Sequence, residues 1–183
     1  LSGNGEPTSA KEFEQVVTLI GTLRQELALP SHIKLVLITN GSLMHRKNVQ
    51  QGLRKMAQLN GEVWFKVDRA SKAGIQRINN IRTSLVKVRE NLAISIALCP
   101  TWLQTCWFML DGEPPGKQDE DDYLNFLATL LHDNIKPEGM LLYSLARPTL
   151  QPEAPQLAAL SEQQLEEFAT RIRALGVETK VAT

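Results

Sequence analysis

Apolar runs at strand spacing alternate with amphipathic stripes at helical spacing along this chain, and that rhythm restricts its fold more than any single motif. Residues 10–27 place Phe13, Val16, Val17, Ile20, Leu23 and Leu27 on one helical stripe facing a core. Ser9 and Glu12 have capping-box spacing at its start, and Pro30 lies beyond its end. Residues 33–39 are a near-continuous aliphatic run that fits a strand buried on both faces, stopped by Asn40-Gly41. A helix follows over 48–59, a strand over 62–68, and two helices over 71–80 and 84–97. The next strand spans 101–110 and ends at Asp111-Gly112; a helix then covers 119–132 and a strand 139–145. A Pro-rich loop over 148–155 leads to a helix that Ser161 and Gln164 cap and Gly176 stops, and to a short strand over 177–182.

Helices long enough to serve as crossovers therefore separate successive strands. That order predicts a parallel sheet covered by helices. It leaves open whether the sheet is doubly wound or part of a (β/α) barrel. The acidic run Asp119, Glu120, Asp121, Asp122 reads as a helix start at the positive end of the dipole, not as a metal site.

The chain has 183 residues, enough for one domain, and its 43% apolar content excludes wholesale disorder. Lys+Arg and Asp+Glu number 20 each, so there is no basic excess of the kind a nucleic-acid binder carries. Cys99 and Cys106 are too few for a disulfide scaffold and read as buried thiols of a reducing, cytoplasmic compartment. The three histidines, His32, His45 and His132, have no metal-ligand spacing. Residues 92–110 carry no charge, but Ser95, Pro100, Thr101, Gln104 and Thr105 interrupt them, so they read as a helix end, a turn and a strand, not a membrane span. The chain begins at Leu1 with no signal-peptide pattern, and a piece of a longer protein is expected.

Parallel α/β folds bind ligands at the C-terminal ends of their strands. The polar residues that the sequence puts there are Asn40, Lys66, Asp68, Gln104, Asp111, Ser144 and Arg147. Asn40-Gly41 and Asp111-Gly112 also suit ordinary turns. Lys66 and Asp68 stand two apart, which places both on one strand face, where they either pair with each other or hold a polar ligand such as a ribose diol. The opening Gly3-Asn4-Gly5-Glu6-Pro7 is not a dinucleotide fingerprint, because Thr8 occupies the third glycine position. Its glycines allow close backbone approach, and its carbonyls and carboxylate suit an ammonium group.

These residues resemble the radical S-adenosylmethionine (SAM) superfamily. LSGNGEPTS is similar to its Gly-Gly-Glu-Pro-type motif, LITNGSL to its third-strand ending, WFKVDRAS with IQRINNIR to its fourth, and YSLARPT to its sixth. Four such motifs in order span nearly the whole chain. The resemblance implies a partial (β/α)6 TIM-like barrel with parallel strands that lacks the first βα unit, with residues 1–183 as a single truncated core domain. It implies SAM and a 4Fe-4S cluster in the full-length protein, and reductive SAM cleavage to a 5′-deoxyadenosyl radical that takes hydrogen from a substrate, in the manner of an activating enzyme among other outcomes. Carried over, Gly3, Asn4, Gly5, Glu6 and Pro7 hold the methionyl amino group. Asp68, with Lys66, lies near the ribose or methionine, while Asn40, Gln104 and Arg147 line the cavity.

The family's CxxxCxxC cluster motif is absent here, and Cys99 and Cys106 have the wrong spacing and place for it. The expectation is that this piece binds no cofactor, is inactive by itself, and self-associates through an exposed strand edge. Its expected partners are a substrate and an electron donor or protein partner, not a membrane or nucleic acid. Two readings compete with the radical enzyme: a cluster-less SAM-binding or protein-interaction module, and an unrelated parallel α/β enzyme.

Overall fold

The computed structural model describes residues 1–3, 5–79, 84–146 and 154–182. A 3-10 turn at Pro7–Ser9 leads into α1 (Phe13–Glu26), β1 (Leu35–Thr39), α2 (Lys47–Gln58), β2 (Gly61–Lys66), α3 (Lys72–Asn79) and α4 (Leu85–Leu98). Then come β3 (Thr101–Cys106), β4 (Phe108–Leu110), α5 (Lys117–His132), β5 (Gly139–Tyr143), a 3-10 turn at Ala154–Gln156, β6 (Leu157–Ala159), α6 (Glu162–Arg173) and β7 (Thr179–Ala182). Five strands form one sheet in the order β1-β2-β3-β5-β7, and β4 pairs with β6 apart from it. The β1–β2 and β5–β7 ladders are parallel, as helical crossovers require. The chain is thus the parallel α/β protein that the alternation predicts. No helix among the described residues is long and apolar enough to cross a membrane.

The chain divides into two compact units, Leu1–Lys66 with Val86–Trp102, and Val67–Leu85 with Leu103–Thr183. In the first, Leu35, Leu37 and Thr39 of β1 are buried while Val36 and Ile38 are half-buried. One face is therefore more open than the aliphatic run of 33–39 predicts, because apolar residues alone do not reveal which face a helix covers. The α1 stripe differs too. Phe13 and Val17 are buried, but Val16, Leu23 and Leu27 are 39%, 43% and 66% exposed. Close helix contact explains the buried side: a Cβ on Gly52 of α2 would lie 2.5 Å from the Phe13 ring. The capping box at Ser9 does not form, since residues 7–9 coil into the 3-10 turn and Glu12 precedes α1 without a side-chain cap. The box at Ser161 and Gln164 forms as the sequence predicts.

In the second unit the expected strand over 101–110 breaks at Trp107. Its N–H donates to the Tyr143 carbonyl at 2.9 Å, after which β4 turns away to pair antiparallel with β6. Asp111 and Gly112 follow with φ of 56° and 81°, both left-handed as a type I′ turn requires. The acidic start of α5 is an ion-paired helix end: Arg171 of α6 pairs with Glu120 and, at 2.6 Å, with Asp121.

Candidate functional site

Glu6 organises the first unit's candidate residues. Its φ of −74° and ψ of 112° are the extended geometry that a following proline imposes. One carboxylate oxygen, Oε1, accepts from the Thr8 N–H at 3.1 Å, the Thr8 hydroxyl at 2.6 Å and the Thr39 hydroxyl at 2.6 Å. The other, Oε2, accepts from the Asn40 N–H at 2.8 Å. Thr39 Oγ1 then accepts the Gly41 N–H at 3.0 Å, and Asn40 Oδ1 the Ser42 N–H at 2.9 Å. Leu1 runs along the outer edge of β1, where its carbonyl accepts from the Ile38 N–H at 3.0 Å. The Gly3–Pro7 segment is therefore fastened beside the C-terminal end of β1.

The Glu6 carboxylate, read in the sequence as a partner for an ammonium group, is occupied by four donors of its own chain. Gly3 and Gly5 are exposed, and a Cβ on either would meet nothing within 4 Å. The fold itself does not need glycine at those two positions. Pro7 is half-buried and Asn40 exposed, while Asn4 lies outside the described residues. Replacing Glu6 by Gln leaves one acceptor oxygen and adds two donors facing the same four donor groups. This is expected to cost about 2 kcal/mol in denaturant unfolding, the scale of hydrogen bonds to a charged group.

Lys66 and Asp68 differ in burial. β2 ends at Lys66, which is exposed in the first unit, whereas Asp68 is 8% exposed in the second. Asp68 Oδ1 accepts the Cys106 N–H at 3.0 Å, and its carbonyl accepts from Trp107 Nε1 at 3.1 Å and Arg69 Nη1 at 2.7 Å. The neighbouring Val67 carbonyl accepts from the Thr105 and Tyr123 hydroxyls, each at 3.0 Å. Burial pushes the Tyr123 phenol well above its ordinary value, so it stays a neutral donor.

Beneath lies an aromatic cluster. Trp107 stacks on Phe168 at 3.9 Å between centroids and meets Tyr123 edge-on at 6.1 Å. Sequence reasoning passed over Arg69, Trp107 and the role of Tyr123; a cation next to Asp68 at a strand end was the available signal for Arg69. Gln104, half-buried on β3, carries a buried Oε1 with no hydrogen-bond partner. An orphaned acceptor of this kind is uncommon in a folded chain. Arg147 lies outside the described residues, as does most of the 148–155 loop.

The residues present do not fit a 4Fe-4S cluster. Among the described residues no three His, Cys, Asp or Glu side chains group as metal ligands. The Cys99 thiol is buried, donates to the Gly61 carbonyl at 3.5 Å and is pushed up by burial to about 12, the reverse of what a thiolate ligand needs. The chemistry of the SAM site is different. Within the first unit, the open backbone at Gly3 and Gly5 suits the approach of an amino donor.

No family model matches the sequence, and no curated protein matches it. Solved structures share the fold. A domain of pyruvate-formate lyase-activating enzyme from Bacteroides vulgatus superposes over 99% of this chain and 96% of its own, with a TM-score of 0.64 at 15% identity. Coproporphyrinogen III oxidase from Escherichia coli, described as a radical SAM enzyme, matches 94% of this chain with a TM-score of 0.62 at 15% identity. A radical SAM methyltransferase from Sphaerobacter thermophilus matches 97% of it with a TM-score of 0.60 at 14% identity. The chain spans 39% and 48% of the lengths of these last two. Its fold is thus one that radical SAM enzymes use.

Proposed function

We propose that this chain is the SAM-binding part of a radical SAM enzyme core. The observation that carries the reading is the Gly3–Pro7 segment, fastened by Glu6 beside the C-terminal end of β1 within a fold that two radical SAM enzymes share. When bound, SAM supplies the radical chemistry by reductive cleavage. The residues of this chain bind and orient it. In the first unit, Gly3, Asn4, Gly5 and Pro7 offer backbone carbonyls to the methionyl ammonium, and Glu6 shapes the turn that presents them. Asn40 closes that turn, and Lys66 stands ready at the end of β2. In the second unit, Asp68 takes ribose or methionine donors, Gln104 accepts one more, and Arg147 adds a cation. In this reading the cluster is held by residues other than these.

The cluster-less SAM-binding module is the second reading, favoured by the lack of a three-ligand group among the described residues. The coding sequence upstream of Leu1 separates the two. The radical-enzyme reading expects CxxxCxxC about 30–60 residues before Gly3, the span of one βα unit with its loops. An open frame without that triplet would overturn it in favour of the module.

A further inference from the structure

Arg69 is 4% exposed, yet it forms no ion pair among the described residues. Its guanidinium lies 5.1 Å from the Trp107 ring centroid and 5.6 Å from that of Phe108, and donates one hydrogen bond, from Nη1 to the Asp68 carbonyl. A buried cation is costly without a counter-charge, and stacking on two rings offsets only part of that cost. Burial pulls its pKa down, opposed by the fields of Asp119 and Asp68, but an arginine keeps its charge at any ordinary pH.

The side chain lines a cavity of about 360 Å³ within the second unit. Arg77 of α3 lines it as well, and so does Gly116 at the start of α5. Gly116 has no side chain to cap that 16-residue helix, and although Asp119 takes the Gly116 N–H, the next N–H groups of the first turn still favour an anion. Two carboxylates share the lining, Glu113 and Asp119. Asp119 accepts the Gly116 N–H at 3.2 Å, and its charge offsets part of that of Arg69 without a direct ion pair. Gly74 keeps the arginine stem in place: a Cβ there would lie 3.0 Å from Arg69 Cβ.

We propose that this cavity binds the anionic group of a ligand, a carboxylate or a phosphate, which Arg69 and Arg77 clamp at the N-terminus of α5. The inference stands on the second unit alone and does not depend on the SAM reading. Arg69 is the deep, preorganised donor and Arg77 the mobile outer one.

The test uses the 183-residue chain labelled with nitrogen-15. Inorganic phosphate and, separately, acetate are titrated at constant ionic strength set by chloride. The arginine Nε–H resonances and the Gly116 and Lys117 amides are followed by NMR. The expected result is a saturable shift of these signals with one dissociation constant for at least one anion, and the anion that saturates tells phosphate from carboxylate. Arg77→Gln, at an exposed position, should weaken that binding about tenfold without changing the melting temperature. Arg69→Gln should abolish it; because that residue is buried, Arg77→Gln and the direct shifts decide the matter if the variant does not fold. Shifts that rise linearly with both salts, or unchanged affinity in Arg77→Gln, would overturn the proposal.

Discussion

Gly41→Ala should cost the protein more than about 4 kcal/mol and leave little folded chain at room temperature. Two independent penalties meet at this position. Gly41 has φ of 71°, where a Cβ costs about 1 kcal/mol. That Cβ would also lie 2.0 Å from Cζ of Phe65, a ring 1% exposed in the core of the first unit. Neither partner can give way easily. The Gly41 N–H is held by Thr39 Oγ1, which in turn donates to Glu6. Phe65→Ala in the same chain removes the clash but not the left-handed backbone. The double variant should therefore be less destabilised than the sum of the singles, by 1 kcal/mol or more on the scale of contacting pairs, about 0.5–3 kcal/mol. Urea unfolding of the three variants checks this, and a loss below about 1 kcal/mol for Gly41→Ala would contradict the account.

Trp107→Ala is the second large effect, about 4 kcal/mol. The indole is 2% exposed, stacks on Phe168 and donates to the Asp68 carbonyl at 3.1 Å. Its removal opens a cavity beside Phe168 of α6 and takes the indole donor from that carbonyl. It also takes away one of the two rings over the Arg69 guanidinium. Trp107→Phe should recover part of the loss, because the stack survives and the N–H donor does not. A Trp107→Ala protein within about 1 kcal/mol of the parent in urea unfolding would mean that the aromatic cluster is not the keystone of its unit.

The elements were legible because each rests on local spacing. The helix over 48–59 and the strand over 139–145 fall within two residues of α2 and β5. What was not legible depends on neighbours distant in sequence. After Trp107, β4 leaves the main sheet to pair with β6, a strand distant in sequence. The exposed side of α1 has the same apolar residues as its buried side, so composition cannot tell them apart. At the candidate site, the sequence singled out Gly3–Pro7 but gave its carboxylate to a ligand. The donors that claim Glu6 include Thr39 and the Asn40 N–H, more than thirty residues away. The burial of Asp68 beside an exposed Lys66 is likewise set by partners distant in sequence, among them the Cys106 N–H. Arg69 escaped notice because nothing in the sequence announces that a charged side chain is buried.

SAM binding by this chain is a proposal that departs from the expectation that the piece alone holds no cofactor, and calorimetric titration of SAM into the 183-residue protein checks it, with Gln104→Leu measured alongside. The Gln104 oxygen is buried and unpartnered, so its loss should leave the melting temperature unchanged or raised. The account predicts saturable binding by the parent chain and affinity about tenfold lower in the variant, the worth of one buried hydrogen bond. No binding by the parent chain, or equal affinity in the two, would contradict it.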